Sequence, residues 1–170
     1  MTARIQLNEA YASWVSSREY DLLLNLNTEA EMNYEQMSKL LCRLFYKAEC
    51  DVFGKTKGGE YRRNLYHSKE KFHIKRVVAI EGDDKRTHAH VKVKTLEGWT
   101  NEQMLELLRL TYRHVTKADK DKAFLFEATQ INSSDAVSRY ITKDTQRQNE
   151  KLNDVIDLRS SFISKHSKEQ

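Results

Sequence analysis

Phe72-His73-Ile74-Lys75-Arg76-Val77-Val78-Ala79-Ile80-Glu81-Gly82-Asp83-Asp84-Lys85-Arg86-Thr87-His88-Ala89-His90-Val91-Lys92-Val93-Lys94-Thr95 is the stretch that decides the fold. Its first part is β-branched and apolar, Gly82-Asp83-Asp84 is a turn, and Thr87 to Thr95 returns in strict alternation, so it reads as a hairpin of two strands. Successive side chains of a strand point to opposite faces. Ala89, Val91 and Val93 therefore share one face, while His88, His90, Lys92 and Lys94 share the other. Both imidazoles lie over one point, and Glu81 ends the neighbouring strand within reach of them.

Working outward, Glu19 to Asn27 alternates as a further strand, with Leu22, Leu24 and Leu26 on one face and Leu23, Asn25 and Asn27 on the other. Leu7 to Ser17 reads as a short helix before it. Asn33 is a helix cap, followed by Met37, Leu40, Leu41, Leu44, Phe45 and Ala48 at helical spacing until Gly54. Beyond the hairpin, Thr100 stands three residues before Gln103 in the pattern of a capping box and opens a helix to about His114. Ala123 to Gln130 is a fourth strand, and Ser134 caps a helix that carries Tyr140. The central order is strand-helix-strand-strand-helix-strand. This predicts an α+β, ferredoxin-like fold: an antiparallel sheet with helices on one face and the site on or beside the other.

The chain has 170 residues, enough for one domain with a proper core. Residues 1–145 are expected to form that domain, and residues 146–170 a C-terminal helix or tail. No apolar run approaches a bilayer span and Met1 to Asn8 has no apolar signal core, so a cytosolic protein without membrane association is expected. Cys42 and Cys50, the only cysteines, cannot build a disulfide framework or a zinc set and are expected as reduced core residues.

The net charge of +4 conceals an uneven distribution. Between Gly54 and Arg76, Lys55, Lys57, Arg62, Arg63, Lys69, Lys71, Lys75 and Arg76 face only Glu60 and Glu70, with Tyr61, Tyr66 and Phe72 interleaved. Cations that track phosphates and rings that stack on bases suit single-stranded nucleic acid. Arg62 and Arg63 from this loop, with Lys92 and Lys94 from the histidine strand, are candidate DNA contacts. His67, His73, His114 and His166 lack comparable company and read as surface or boundary residues.

Two imidazoles and one carboxylate, Glu81, His88 and His90, are a donor set suited to Mg²⁺ or Mn²⁺ that leaves positions for phosphate oxygen and water. Tyr140 and Lys143 are three apart in a helical segment and share one face. A phenol with a pKa near 10 needs a neighbouring cation to act as a nucleophile, and Lys143 supplies one.

Ser133-Ser134-Asp135-Ala136-Val137-Ser138-Arg139-Tyr140-Ile141-Thr142-Lys143-Asp144 resembles the catalytic helix of rolling-circle replication initiators, especially the Rep proteins of circular single-stranded DNA viruses and related plasmids and phages. Glu81 followed by His88-Ala89-His90 is similar to the metal motif of the same His-hydrophobic-His endonuclease superfamily, and Leu22-Leu23-Leu24-Asn25-Leu26-Asn27 lies where the family's first motif lies. The resemblance spans roughly residues 20 to 145. It implies that Tyr140 nicks an origin strand and keeps the 5′-phosphate, that Glu81, His88 and His90 hold the divalent ion, and that Lys143 assists at the phosphate. It also implies DNA contacts for Asn25 and Asn27, and single-stranded DNA or an origin hairpin as partner. A virus of eukaryotes would direct such a protein to the nucleus. Viral Reps carry a helicase domain with a phosphate-binding Gly-rich loop, and no Gly-x-x-x-x-Gly-Lys-Ser/Thr occurs here. The expectation is thus a nuclease domain of a longer protein, or an initiator working with a separate helicase. The alternatives are a transposase or relaxase of the same superfamily, and a noncatalytic single-stranded nucleic-acid binder on the same sandwich.

Overall fold

The computed structural model describes residues 20–54, 72–82, 87–117, 125–131, 156–157 and 159–162. Four strands and two helices follow in the order β1 (Leu22–Leu26), α1 (Tyr34–Phe53), β2 (Arg76–Glu81), β3 (His88–Val93), α2 (Asn101–Thr116) and β4 (Phe126–Gln130). The sheet is antiparallel throughout and its spatial order is β2-β3-β1-β4. This is the ferredoxin-like arrangement, in which the first and third strands lie at the centre.

Both helices begin where a side chain can satisfy the free amides of the first turn. At α1, Asn33 Oδ1 accepts from Gln36 N at 3.0 Å and Gln36 Oε1 accepts from Asn33 N at 3.0 Å. At α2, Thr100 Oγ1 accepts from Gln103 N at 3.2 Å and Gln103 Oε1 accepts from Thr100 N at 2.9 Å. Each is a reciprocal capping box. Gly54, at φ 87°, ends α1 in a region that a side chain would disfavour, and Lys117 ends α2 in the left-handed conformation.

The period of two assigns the faces. Leu22, Leu24, Leu26, Val78, Ile80, Ala89, Val91 and Val93 pack with Met37, Leu41, Leu44, Phe45 and Ala48 of α1 and with Met104, Leu108 and Tyr112 of α2 in one buried core. The helices tie back to the sheet by polar contacts as well. Tyr112 Oη donates to the carbonyl of Asn27 at 2.5 Å, and burial pushes this phenol far above its ordinary pKa.

The opposite face is not wholly open, in contrast to the simple reading of the alternation. Tyr20, Val77 and Ile156 form a second, smaller buried cluster with Ile131 packed against it. The described part of the C-terminal segment runs along the outer edge of β2 through antiparallel bridges, Ala79 with Ile156 and Arg76 with Phe162. Asp157 N donates to Val78 O at 2.9 Å, while Arg76 and Phe162 exchange amide-to-carbonyl bonds of 2.9 and 3.0 Å. An edge strand left bare would present unpaired backbone groups, and this segment covers them. Val77, Ala79, His90 and Lys92, which point away from α1 and α2, are all buried.

Beneath that segment lies a charged cluster that the sequence reading did not single out. Glu49 of α1 accepts from Arg76 Nη1 at 2.7 Å and from Ile74 N at 3.0 Å, and its other oxygen lies 3.2 Å from His73 Nδ1. Arg76 also donates through Nε to Ser160 O at 2.7 Å, and its guanidinium lies 4.2 Å from the centroid of the Phe45 ring. His73 packs on Phe162 with ring centroids 4.3 Å apart. His73, expected at the surface or a boundary, is instead buried, because a carboxylate on the apolar stripe of α1 gives it a partner. His114 is exposed as expected. Cys42 and Cys50 are free thiols, each part-buried rather than fully in the core. Among the described residues, no helix is long and apolar enough to cross a membrane.

Candidate metal centre

The hairpin register brings the three candidate ligands together. Glu81 pairs with His88 at the turn end of β2 and β3, and His90 lies two residues further along, opposite Ala79 on one side and Asn25 on the other. Glu81, His88 and His90 all have the parity that points away from the helices. Glu81 Oε2 lies 3.5 Å from His88 Nε2 and 3.5 Å from His90 Nε2. The two rings stand nearly perpendicular, with centroids 5.1 Å apart and an interplanar angle of 89°. One donor atom from each residue falls within 4.8 Å of the others.

Exposure grades across this group. The side chains of Glu81 and His90 are 10% and 6% exposed, whereas that of His88 is 38% exposed. The site thus has a protein-lined floor and a solvent-facing rim, which suits an ion that must also meet a ligand from outside. The donor set fits a divalent cation. Metal–ligand distances of about 2.1 Å put adjacent donors of an octahedron roughly 3 Å apart, so the two carboxylate–imidazole spacings of 3.5 Å need only a small contraction. Two imidazole nitrogens with one carboxylate oxygen are also the mixed set that leaves open positions for oxygen ligands.

Compared with known proteins, the chain matches no family model, no curated protein and no solved structure. Function must be argued from the site itself.

The other candidates divide into three groups. Asn25 belongs to the centre, since its Oδ1 lies 2.5 Å from His90 Nδ1. Lys92 is on the expected face but is completely buried, with its ammonium 5.9 Å from the centroid of Tyr20. Lys94 Nζ lies 3.2 Å from Asp21 Oδ1, whose other oxygen accepts from Thr95 N at 2.7 Å. Lys92 is thus enclosed and Lys94 is anchored to Asp21, the residue before β1, so neither is displayed as a free surface cation of the kind sequence alternation suggests. Asn27 follows β1, and its backbone is fixed by the Tyr112 hydroxyl and by a bond from its own N to Leu125 O of 3.0 Å. Tyr140, Lys143, Arg62 and Arg63 lie outside the described residues.

Two features escaped the sequence reading. The contact between Asn25 and His90 depends on the pairing of β1 with β3, and a single sequence does not specify which strand lies beside which. Glu49 could have been noticed, because it stands four residues after Phe45 and eight after Leu41, on the buried stripe of α1.

Proposed function

We propose that this chain is a rolling-circle replication initiator endonuclease, which nicks and rejoins single-stranded origin DNA through a 5′-phosphotyrosine intermediate. The observation that carries this reading is the convergence of Glu81, His88 and His90 on the face of a ferredoxin-like sheet that points away from α1 and α2. The motif around Tyr140 and Lys143 supplies the remaining chemistry from sequence.

In this mechanism Tyr140 Oη attacks the phosphorus of a phosphodiester. The Oη–P bond forms as the P–O3′ bond breaks, the phenol gives up its proton, and the departing 3′ oxygen takes one up. Lys143 stabilises the phenolate and the charge on the scissile phosphate. Glu81, His88 and His90 would hold Mg²⁺ or Mn²⁺, which supplies Lewis-acid polarisation of a nonbridging phosphate oxygen when bound. One phosphodiester bond is exchanged for another, so the released 3′-hydroxyl can attack the phosphotyrosine and reseal the strand. A helicase acting separately would open the duplex ahead of such an enzyme.

A library of single-stranded DNA with a random central region, labelled at the 3′ end, tests the reading. Incubation with MnCl₂ is expected to leave label covalently attached to the protein, because the 5′-phosphate of the downstream fragment stays on the tyrosine. His88→Ala with His90→Ala is expected to abolish that adduct and retain phosphate-driven DNA binding. Binding without any adduct in the native chain would instead mark a noncatalytic nucleic-acid binder.

A further inference from the structure

A histidine that ligates through one ring nitrogen must carry its proton on the other, and whatever accepts that proton fixes both the tautomer and the direction of the lone pair. His90 points Nε2 at the Glu81 carboxylate and Nδ1 at Asn25 Oδ1, 2.5 Å away. A side-chain amide oxygen has lone pairs and no proton, so in this contact Nδ1 donates and Nε2 is left with its lone pair toward the centre. Asn25 cannot swing away at no cost: it is part-buried in the middle of β1, held between β3 and β4 by register with His90 and Glu127.

His90 is also the ligand for which such a device matters. It is nine-tenths buried, whereas His88 is more than a third exposed, so that water reaches its ring. A buried imidazole with the wrong tautomer would present an N–H to the cation in place of a lone pair.

We propose that Asn25 is a positioning residue that holds His90 in the Nδ1–H tautomer and so prepares Nε2 as a metal ligand. This assignment rests on the divalent-cation reading of Glu81, His88 and His90, and it gives Asn25 a role inside the protein in place of a contact with DNA. The position makes the same demand of any replacement: an acceptor of the same length must face Nδ1. Asp satisfies that demand, and Leu, of similar volume, does not.

The test uses the full chain with uniform ¹⁵N labelling at about pH 8. Long-range ¹H–¹⁵N spectra, with His90 identified by comparison with His90→Gln, are expected to show a protonated Nδ1 and a bare Nε2 in the native protein. Asn25→Leu is expected to lose that preference, and calorimetric titration with MnCl₂ should show affinity lower by about 10- to 100-fold. Asn25→Asp should restore both the tautomer and the affinity. A purely structural role for Asn25 would leave the His90 tautomer unchanged in Asn25→Leu, and that result overturns the proposal. Mn²⁺ binding by Asn25→Leu equal to the native protein overturns it too, while leaving the metal centre standing. Failure of the native protein to bind Mn²⁺ overturns both.

Discussion

Replacing Glu49 by Ala removes a carboxylate that serves three groups at once. Arg76 Nη1 at 2.7 Å, Ile74 N at 3.0 Å and His73 Nδ1 at 3.2 Å all meet it, and the side chains of Glu49 and Arg76 are fully buried. Removing one partner of a buried ion pair costs about 3–5 kcal/mol, chiefly because the other charge is left uncompensated in a poorly solvating interior. With a urea m value of roughly 2 kcal/mol/M for a domain of this size, the midpoint should fall by about 2 M. Urea unfolding followed by circular dichroism measures this shift. The double replacement Glu49→Leu with Arg76→Met should recover much of the loss, because the cost belongs to the orphaned charge. The cluster also predicts a pH dependence. Burial alone would push the Glu49 carboxyl up, but the Arg76 guanidinium, His73 and the Ile74 amide together hold it below its ordinary value of 4.5. A group whose folded pKa is depressed stabilises the fold above the unfolded pKa and loses that contribution as pH falls through the folded value. The stability difference between the native protein and Glu49→Gln should accordingly be constant at neutral pH and shrink below pH 4.5. A Glu49→Ala protein within about 1 kcal/mol of the native one would instead place the pair among the weak, solvent-screened kind and exclude a buried charge cluster as a source of stability.

Leu24→Ala, at a completely buried position in β1, should cost about 2–5 kcal/mol by urea unfolding, through lost transfer energy and the cavity left behind. Thr100→Ala removes the acceptor for Gln103 N and should cost about 1 kcal/mol, with Thr100→Ser close to native in the same assay. Glu81→Ala removes the carboxylate shared by His88 and His90, and Mn²⁺ binding measured by calorimetry should weaken at least tenfold while the midpoint of unfolding without metal changes little.

Most of the fold was legible because its signals are local. Leu22, Leu24 and Leu26 alternate, Met37 to Ala48 recur at helical spacing, and Asn33 and Thr100 carry their capping partners three residues on. The strand ends shifted by a few residues, since pairing with neighbours rather than propensity sets where a ladder stops: the stretch read from Phe72 becomes a strand only at Arg76, where β3 begins to pair with it. The Glu81, His88 and His90 cluster was legible for a related reason. A hairpin turn fixes which residues of its two strands face each other, so sequence distance stands in for spatial distance. What the sequence did not disclose depends on contacts between distant segments. Lys92 follows the alternation that puts it beside His90, yet the Tyr20, Val77 and Ile156 cluster encloses that part of the face. Glu49, His73 and Arg76 meet because α1 packs beside the start of β2, and Ser160 joins them because the C-terminal segment returns to the edge of β2, 84 residues after Arg76. Charged residues inside such a contact have no period and no local motif to announce them.

Metal-dependent joining of DNA to Tyr140, with the ion held by Glu81, His88 and His90, is the chemistry proposed for this chain. It is tested most directly by digesting the protein with trypsin and nuclease after incubation with single-stranded DNA and MnCl₂, and locating the modified residue by mass spectrometry. The account predicts a nucleotide joined through its 5′-phosphate to Tyr140, absent when EDTA replaces MnCl₂ and absent in Tyr140→Phe. A nucleotide on a different residue, or an adduct that persists in EDTA, would contradict it.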